Sequence, residues 1–584
     1  MKTKLILYPT KNISKMDKII FFNQLIKQRT EPEFFKHLDF KINKPYGLET
    51  NLIKKNFSQM SRVHRKFLKL LTTKLNKFHS IDRGERYWSI VFGAWLRDFI
   101  WTTYNRYKSL KEVFESSEID EIISVDDNEH NHLSEEIFDF MSHTNDLLFD
   151  AILINKIIAQ TKFKNILKKN IPTDKYSFKK YNSKKYEKVF SIKKKLLNIF
   201  KLLRILKKND DAFIINSGLP LIEEIKLQVY LKQIPQYWDI PKIKYLSNRN
   251  KFRDDMNLKV DSDDEFENIL TKLIPAYIPL SIIEHYKDTI NYCKNISWPQ
   301  KPKFIFTSNS FGSSGIFQIW LAEKVHSGFK YFVGQHGFGY LELNEKKDHI
   351  EFDTADRFFS WGNKIFDKKI LPLFNLSVVG KKKSYQIGEK LVIVTRSAGV
   401  RAVHYDRFEY GKILNLKTIS LLENLNEIIK KKTTLRLHEN YRPGIYQELD
   451  NFLENNSVFK IDQNTKYFSL INKSKLIVFN DISSGFLNNL SIDCPSICFL
   501  PIGLDFIHEE NKKDYNELIN NNLMFEDEGE LAKFINKNWN DLDKWWSDTK
   551  VKKIRHEFCL KYSIPPPKNA LKVFSNLLRN EISK

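Results

Sequence analysis

The feature that most limits the possible folds is a series of short apolar segments that alternate with helical patterns. These segments end in glycine, serine, histidine or arginine. In the first half they occupy 212–216, 303–307, 330–334 and 357–362, and in the second half 391–395, 434–437, 458–461, 475–479 and 496–500. Apolar strands separated by helices are typical of parallel sheets with helices on both faces. The sequence therefore predicts an α/β fold.

The N-terminal region predicts one strand at 4–9, followed mostly by helices. Aromatic residues recur there at three- and four-residue spacing, as in a buried helix, and the main ones are Trp88, Phe92, Trp95 and Phe99. Arg97 and Asp98 interrupt this stretch and make it a poor membrane span. We expect these two side chains to be exposed or paired.

The formal net charge of +24 favours a polyanionic partner, such as an anionic membrane or a phosphorylated substrate. The lysine bias of an AT-rich genome explains the same charge equally well. Nucleic acid is not expected as a partner, because no zinc-finger or RNA-recognition signature is present. The lysine-rich stretch 162–208, with an amphipathic helix predicted at 191–208, can contact an anionic membrane or be simply solvated.

The cysteines show no metal-ligand spacing, and four free thiols fit a reducing cytosol. The first eight residues lack a cleavage site and predict a strand rather than a signal peptide. We therefore expect a cytoplasmic protein, peripheral at the inner face of the membrane at most, with no metal and no cofactor.

Polar residues follow the predicted strands of the second half, where ligands bind in open α/β sheets. The clearest group is Asp481, Ser483 and Ser484, which lies between an apolar strand and a helix. Hydroxyls and N–H groups at a helix N-terminus suit a phosphate, although Asp481 or Ser483 can also be an ordinary helix cap.

Two further strands of this half end in candidate phosphate ligands. His438, Glu439 and Arg442 follow the strand at 434–437, and Arg396 follows the strand at 391–395. Arg442 and Arg396 can clamp a phosphate, and His438 can contact one or act as an acid. Solvated surface side chains are the alternative interpretation.

In the first half, Gln335 and His336 stand on a glycine-flanked loop after a strand. His336 can take a proton from an acceptor hydroxyl, or it can hold the turn by a hydrogen bond. The carboxylates that follow are candidates for a catalytic role, with Glu342 and Asp356 foremost beside Glu351 and Asp353. The loop at 308–315 contributes Ser308 and Ser310 as acceptor-side candidates.

Several motifs together resemble a bacterial family of surface-carbohydrate biosynthesis transferases. They lie at 75–79, 86–88, 105–109, 335–340, 356–362, 435–438 and 480–495. The second half is more remotely similar to the CDP-glycerol glycerophosphotransferases and to capsule transferases of the Kdo type, which use CMP-activated acidic sugars. These resemblances imply the GT-B architecture, in which two Rossmann-like domains face a central cleft.

The glycerophosphotransferase resemblance also implies residue roles. It assigns a base to His336 and donor-phosphate contacts to His438, Ser483 and Ser484. Two positions depart from that pattern: Gln335 stands where a Trp is expected, and Glu439 where a Pro is expected.

The sequence therefore predicts a GT-B-like, metal-independent glycosyltransferase with extra N-terminal helices. Residues 1–379 are expected to form the acceptor-side domain, with a helical insertion at about 110–210 whose acidic part, 115–132, is a solvated loop. Residues 380–584 form the domain that binds the nucleotide-sugar donor, after a linker at 380–388. The donor is expected to be a CMP-activated acidic sugar and the acceptor a surface glycan or lipid-linked glycan. A CDP-glycerol-type polyol-phosphate transferase and a non-enzymatic basic scaffold are the alternatives.

Overall fold

The fold was obtained as a computed structural model. It describes residues 2–10, 13–14, 16–22, 26, 30, 32–35, 37–44, 46, 50–126, 133–144, 146–171, 203–241, 243, 245, 251–312, 314–343, 349–381, 388–396, 408–438, 441 and 446–583.

The described strands form three sheets in which every registered pair is parallel. The first sheet has the order β3-β2-β1-β4-β5, built from β1 Thr3–Ile6, β2 Lys18–Phe21, β3 Phe40–Ile42, β4 Glu121–Val125 and β5 Leu167–Ile171. The second has the order β10-β9-β8-β7-β6, built from β6 Phe213–Ile214, β7 Ile305–Thr307, β8 Tyr331–Gly334, β9 Arg357–Ser360 and β10 Ile370–Pro372. This confirms the predicted α/β class.

The third sheet has the order β13-β12-β11-β14-β15-β16. Its strands are β11 Lys390–Val394, β12 Thr433–Arg436, β13 Lys460–Asp462, β14 Ser474–Phe479, β15 Ser496–Phe499 and β16 Met524–Phe525. In sequence order this is 3-2-1-4-5-6, the doubly wound order of a Rossmann fold. The strand order reverses between β11 and β14, because strands are added to one side of β11 first and then to its other side. Such a switch point is where these sheets bind ligands.

Helices connect and cover the sheets. Around the first sheet they are α1 Thr50–His79, α2 Glu85–Trp88, α3 Ala94–Ser116, α4 Ile137–His143 and α5 Leu147–Ile158. Between β5 and β10 along the chain they are α6 Leu221–Tyr230, α7 Phe252–Asp255, α8 Glu265–Tyr277, α9 Tyr286–Asn295, α10 Gly315–His326 and α11 Ile350–Thr354. Of these, α8 packs against α3 and α5 beside the first sheet. Short 3₁₀ turns occur at Pro32–Phe35, Lys162–Asn165, Leu203–Leu206 and Leu376–Val378.

The third sheet is covered by α12 Phe408–Glu423, α13 Glu427–Lys432, α14 Gln447–Asn455, α15 Tyr467–Ile471, α16 Ser484–Ser491, α17 Glu509–Asn520, α18 Glu528–Asn538 and α19 Leu542–Ser547. Two helices complete the chain, α20 Thr549–Tyr562 and α21 Ala570–Ile582. The last packs against Phe306 and Phe359 of the second sheet through Phe574. The C-terminus therefore crosses back to the second sheet.

The predicted aromatic helix is buried as expected. Trp88, Phe92, Trp95 and Phe99 are inaccessible to solvent, and a π-helical turn, Ser89–Gly93, joins α2 to α3. Arg97 is paired, since its Nε donates to Asp98 Oδ1 at 3.1 Å. In the described part of the chain, no helix combines the length and apolar content needed to cross a bilayer.

The N-terminal region differs most from the prediction. Extra helices were expected there, but they enclose a complete parallel sheet. The stretch at about 110–210, predicted as a helical insertion, supplies β4 and β5, and β4 lies inside the expected acidic loop at 115–132. These strands are short and follow charged residues, so their alternation is weak in the sequence. The predicted helix at 191–208 and linker at 380–388 fall largely outside the described residues.

Candidate functional site

The carboxyl ends of β12, β11 and β14 lie side by side at the switch point of the third sheet. Val394 is in register with Arg436 on one side and with Phe479 on the other. The residues that follow, Arg396, His438 and Asp481, therefore share one edge of the sheet. The structure brings these three predicted residues together.

Arg396 is held in place by the loop after β14. Its guanidinium pairs with the buried carboxylate of Asp481, and its backbone N–H donates to Asn480 Oδ1 at 2.7 Å. The guanidinium also lies 5.8 Å from the ring of Tyr410. Asp481 is thus a positioning residue for Arg396 and does not cap α16.

Ser483 and Ser484 stand at the N-terminus of α16, next to Arg396 and Asp481 along the sheet edge. Ser483 has the extended backbone of an N-cap, but its side chain makes no capping bond. The ordinary capping interpretation is therefore wrong for both Asp481 and Ser483. The N–H groups of the first helical turn and the hydroxyls of Ser483 and Ser484 are therefore available to bind an anion.

Ser484 also contacts the second sheet. Its Oγ accepts a hydrogen bond from the backbone N–H of Phe338 at 3.0 Å. A Cβ atom on Gly337 would lie only 2.7 Å from the same Oγ, so the loop approaches α16 as closely as a glycine allows. Because the Oγ accepts from Phe338, its own hydrogen stays available as a donor.

His438 is exposed at the end of β12, and its carbonyl accepts from Gln463 Nε2 at 2.9 Å. Glu439 and Arg442, the other candidates from this strand end, lie outside the described residues.

His336, on the loop after β8, belongs to a chain of hydrogen bonds. Tyr340 Oη lies 2.7 Å from His336 Nδ1 and donates to Glu351 Oε1, also at 2.7 Å. A tyrosine has a single hydroxyl hydrogen. Since Tyr340 gives it to Glu351, the Nδ1–H of His336 donates to Tyr340. The carbonyl of Ser308 also lies within hydrogen-bonding reach of the imidazole.

The surroundings of these hydrogen-bonded side chains shift their pKa values. Burial of the ring lowers the pKa of His336, although the residue as a whole is exposed to solvent, and the Glu351 carboxylate and the Ser308 carbonyl partly oppose this shift. His336 is therefore neutral at pH 7 and able to accept a proton. Burial, with the neighbouring Glu351, raises the pKa of Tyr340 far above its ordinary value, so this residue stays protonated.

Glu342 braces the loop and does not reach the open side of the site. It is fully buried, and its Oε2 accepts the N–H groups of Gly339 at 2.9 Å and Leu341 at 3.0 Å. Its carbonyl accepts the N–H of His508 at 2.9 Å, which ties the loop to the third-sheet region. Burial raises the pKa of Glu342 to about 7.

Asp356 lies at the opposite end of the second sheet. Its Oδ2 accepts the N–H of Tyr331, the first residue of β8, at 2.8 Å, and its Oδ1 pairs with Arg86 at 2.9 Å. His336 follows the other end of β8. The structure therefore does not bring Asp356 to the loop of His336.

The remaining acceptor-side candidates are buried and support the strand ends. Ser308 Oγ donates to the carbonyl of Ser217 at 2.7 Å, and Ser310 Oγ accepts from Asn216 at 2.7 Å. Gln335 donates to the carbonyl of Gly337 at 2.8 Å and accepts from the N–H of Trp361 at 2.7 Å. These three buried side chains hold the strand ends and the loop in place through their hydrogen bonds.

The family model described as LIC12162 family transferase matches residues 4–578. The chain belongs to this family of transferases. No protein of curated function matches it.

Solved structures are similar to this LIC12162 family transferase at low sequence identity. Staphylococcus aureus MnaA in its UDP co-structure is 11% identical, with 64% of this chain and 97% of that chain covered and a TM-score of 0.36. Acinetobacter baumannii MurG is 12% identical, with coverages of 66% and 95% and a TM-score of 0.32. Neisseria meningitidis UDP-GlcNAc 2-epimerase bound to UDP-GlcNAc is 11% identical, with coverages of 66% and 96% and a TM-score of 0.34.

In this LIC12162 family transferase the loop of His336 joins the second sheet to the third, and both sheets are parallel. Among the residues that the structure describes, no three His, Cys, Asp or Glu side chains cluster as metal ligands would.

Two site residues were missed as functional groups in the sequence. Tyr340 was noted only as the end of a motif, although its spacing of four from His336 is the signal for a contact. Arg97 on α3 is expected from the sequence only to be exposed or paired, yet its charge interacts with Glu351 and partly opposes the rise in the pKa of Tyr340. The roles of Tyr340 and Arg97 depend on tertiary contacts, which a local sequence pattern does not reveal.

Proposed function

We propose that this transferase is a glycosyltransferase that moves a sugar from a nucleotide donor to a glycan or lipid-linked acceptor of the cell surface. The contact between Phe338 and Ser484 carries the proposal. Phe338 is two residues from His336, which is at most about 7 Å of extended chain. A proton acceptor and an anion-binding helix N-terminus therefore meet in one place.

The donor is proposed to lie on the third sheet. Its phosphate would receive hydrogen bonds from the N–H groups that open α16 and from the hydroxyls of Ser483 and Ser484. Arg396, oriented by Asp481, would add a positive charge beside it, and His438 a further donor. Such fixed donors stabilise the charge that grows on a leaving phosphate.

The acceptor is proposed to lie on the second sheet. Its hydroxyl oxygen would form a bond to the anomeric carbon while the bond from that carbon to the phosphate oxygen breaks. The hydroxyl proton would pass to the imidazole of His336, and the electron pair of the broken bond would stay on the nucleotide. Tyr340 and Glu351 would hold the imidazole in position for this transfer.

A CMP-activated acidic sugar is the donor we propose, on the remote resemblance of the second half to CMP-sugar transferases. A polyol-phosphate transferase would use the same phosphate site but would leave phosphorus on the acceptor. Analysis of the product for phosphorus separates the two reactions.

The direct test is thermal unfolding of the purified protein with CMP, CDP, UDP, GDP or ADP. A ligand at about 100 times its Kd stabilises the folded state by about 2.7 kcal/mol. We expect a cytidine nucleotide to stabilise the wild type selectively, and Ser484→Ala and His438→Ala to reduce this effect. Ser327→Ala and His556→Ala, exposed positions in α-helical regions away from the strand ends, serve as matched controls.

Another preferred nucleotide would exclude the CMP-sugar donor but keep the site. No response to any nucleotide, together with retention on a polyanion at moderate salt, would favour a basic scaffold instead.

A further inference from the structure

Exposed apolar side chains are concentrated in one part of the second-sheet region. A single exposed apolar residue is ordinary on a protein surface, whereas a group of them indicates a contact surface. In the described part of the chain, six of the seventeen large apolar side chains that are exposed lie between residues 205 and 234. They are Ile205, Leu206, Ile222, Val229, Tyr230 and Ile234, with exposed fractions of 84, 57, 60, 59, 46 and 38%. These six residues are called the apolar cluster below.

Hydrogen bonds bring the two ends of this stretch together beside the start of β6. The Asp211 carboxylate accepts the backbone N–H of Lys208 at 2.9 Å and the side-chain amide of Gln236 at 2.7 Å. Leu206 is two residues before Lys208, and Ile234 is two residues before Gln236. Two residues span at most about 7 Å of extended chain. The turn that ends at Leu206 and the segment that follows α6 therefore lie close to each other.

Helix α6 extends this surface along the side of the sheet. Ile222 and Val229 are seven residues apart, so they lie on the same side of the helix, and Tyr230 is next to Val229 in the last turn. The opposite side of the helix is packed, since Leu227 is inaccessible to solvent and belongs to the core that covers the second sheet. Arg579 of α21 donates to the carbonyl of Tyr230. One side of α6 therefore covers the sheet, and the other presents apolar side chains to solvent.

Lysines lie among the residues of the apolar cluster. In the part of the chain that the structure describes, Lys207, Lys208 and Lys232 form no ion pair. The acidic side chains between residues 205 and 234 already have partners, which are Lys303 for Asp210, Lys208 and Gln236 for Asp211, Lys226 for Glu223 and Ser217 for Glu224. The surface around the apolar cluster therefore carries an excess of positive charge.

This combination of charge and apolar side chains fits an anionic lipid bilayer better than a second copy of the chain. In a two-fold symmetric dimer the same patch faces itself, so the lysines of one copy would lie near the lysines of the other. An anionic bilayer instead attracts lysines, and the boundary between its headgroups and acyl chains accepts apolar side chains. Tyrosine is enriched at this boundary, and Tyr230 is part of the apolar cluster.

We propose that the apolar cluster and its lysines form a surface by which the protein docks on an anionic lipid bilayer. Helix α6 lies along this bilayer, and the turn before β6 contacts it through Ile205 and Leu206. This docking does not depend on which donor the protein uses. That it brings the protein to a lipid-linked acceptor rests on the proposed function.

The test is co-sedimentation of the whole chain with lipid vesicles. One set of vesicles contains phosphatidylcholine and phosphatidylglycerol in equal parts, and the other contains phosphatidylcholine alone. We expect the wild type to bind the anionic vesicles at least about tenfold more tightly than the neutral ones. Ile205→Ser combined with Val229→Ser should weaken binding to the anionic vesicles about tenfold or more, because less apolar surface enters the bilayer. Lys207→Gln combined with Lys208→Gln should weaken it by a similar factor.

The matched control is Ile428→Ser combined with Lys431→Gln on α13, where an isoleucine that is 70% exposed stands near exposed lysines of the third-sheet region. This variant should bind the vesicles as the wild type does. All three double variants change exposed or partly exposed side chains and should keep the fold, which thermal unfolding checks. Their stabilisation by nucleotides should also equal that of the wild type, so a failure of the donor proposal is seen separately from a failure of docking.

Three results would overturn the proposal. The first is the absence of binding to the anionic vesicles. The second is equal binding of the wild type and the Ile205→Ser, Val229→Ser variant, because charge alone would then explain the attraction. The third is a wild-type dimer in analytical ultracentrifugation that the same variant converts to a monomer, since the apolar cluster would then be an interface between two copies of the chain.

Discussion

Phe338 and Ser484 are 146 residues apart in the chain, yet the backbone N–H of the first donates to the hydroxyl of the second at 3.0 Å. This bond joins the loop after β8 to the start of α16. The orientation of His336 and the shape of the proposed phosphate site are therefore linked, and a substitution on one side should alter the other.

Gly337→Ala should be destabilising because its new methyl group would lie 2.7 Å from Ser484 Oγ. We expect a loss of about 1–3 kcal/mol in the free energy of unfolding, measured by urea denaturation. In the Ser484→Ala background most of this loss should disappear, since Ser484 Cβ is 3.9 Å away. Gly84→Ala is the matched control, since no atom of the described residues lies within 4 Å of the added methyl group. Equal losses in both backgrounds would show that the close approach is absent.

Tyr340→Phe should impair transfer without unfolding the protein, because it disconnects His336 from Glu351. General base catalysis contributes about 10²–10⁴-fold, so His336→Ala should lose most of that factor and Tyr340→Phe part of it. The single-turnover rate and its pH profile are the measurements. Tyr331→Phe is the control, since this buried hydroxyl has no hydrogen-bond partner in the described structure. Identical rates for the two Tyr→Phe variants would contradict a role for Tyr340.

Glu342→Gln should change how stability depends on pH. Burial raises the pKa of Glu342 from 4.5 to about 7. The folded state therefore binds a proton that the unfolded state releases, and stability falls as pH rises from about 4.5 to about 7. Relative to Glu342→Gln, the wild type should lose on the order of 3 kcal/mol across this window. Unfolding at pH 4.5 and pH 8 measures the difference, with the exposed Glu427→Gln as control. If the difference in the free energy of unfolding between wild type and Glu342→Gln were the same at both pH values, this prediction would be wrong.

Asp150→Asn should destabilise the N-terminal region strongly. Asp150 on α5 accepts from Arg106 on α3 at 2.5 Å, and both side chains are buried. Removing one partner of a buried ion pair leaves an unpaired charge and costs about 3–5 kcal/mol. Asp541→Asn, in an exposed pair with Lys544, should cost less than about 1 kcal/mol by the same denaturation assay. Similar costs at the two positions would argue against a packed α3–α5 interface.

The second and third sheets could be predicted from the sequence because their strands are compact apolar runs with polar ends. The strand expected at 391–395 is β11, and that expected at 330–334 is β8. Strand ends alone also placed Arg396, His438 and Asp481 at one edge, since parallel strands end on the same side. The strand expected at 458–461 lies two residues later, at Lys460–Asp462, where the apolar alternation is poor.

The first sheet and the buried hydrogen-bond chain could not be predicted in this way. β5 is LKKNI and mostly exposed, so it carries little apolar signal. Choosing among Glu342, Glu351 and Asp356 required the tertiary structure, because all three follow His336 within twenty residues. Only Glu351 contacts the hydroxyl that reaches His336.

The π-helical turn at Ser89–Gly93 fixes the rotational phase of everything that follows it on α3. A π-turn accommodates one residue more than the α-helical turn it replaces, and each residue of an α-helix advances the chain by about 100°. If the same residues formed an uninterrupted α-helix, Trp95, Arg97 and Phe99 would be rotated by about 100°, more than a quarter of a revolution. The wide turn therefore works as an angular offset that keeps Arg97 directed at Glu351, and a chain that lacked both the turn and its extra residue would present the same face.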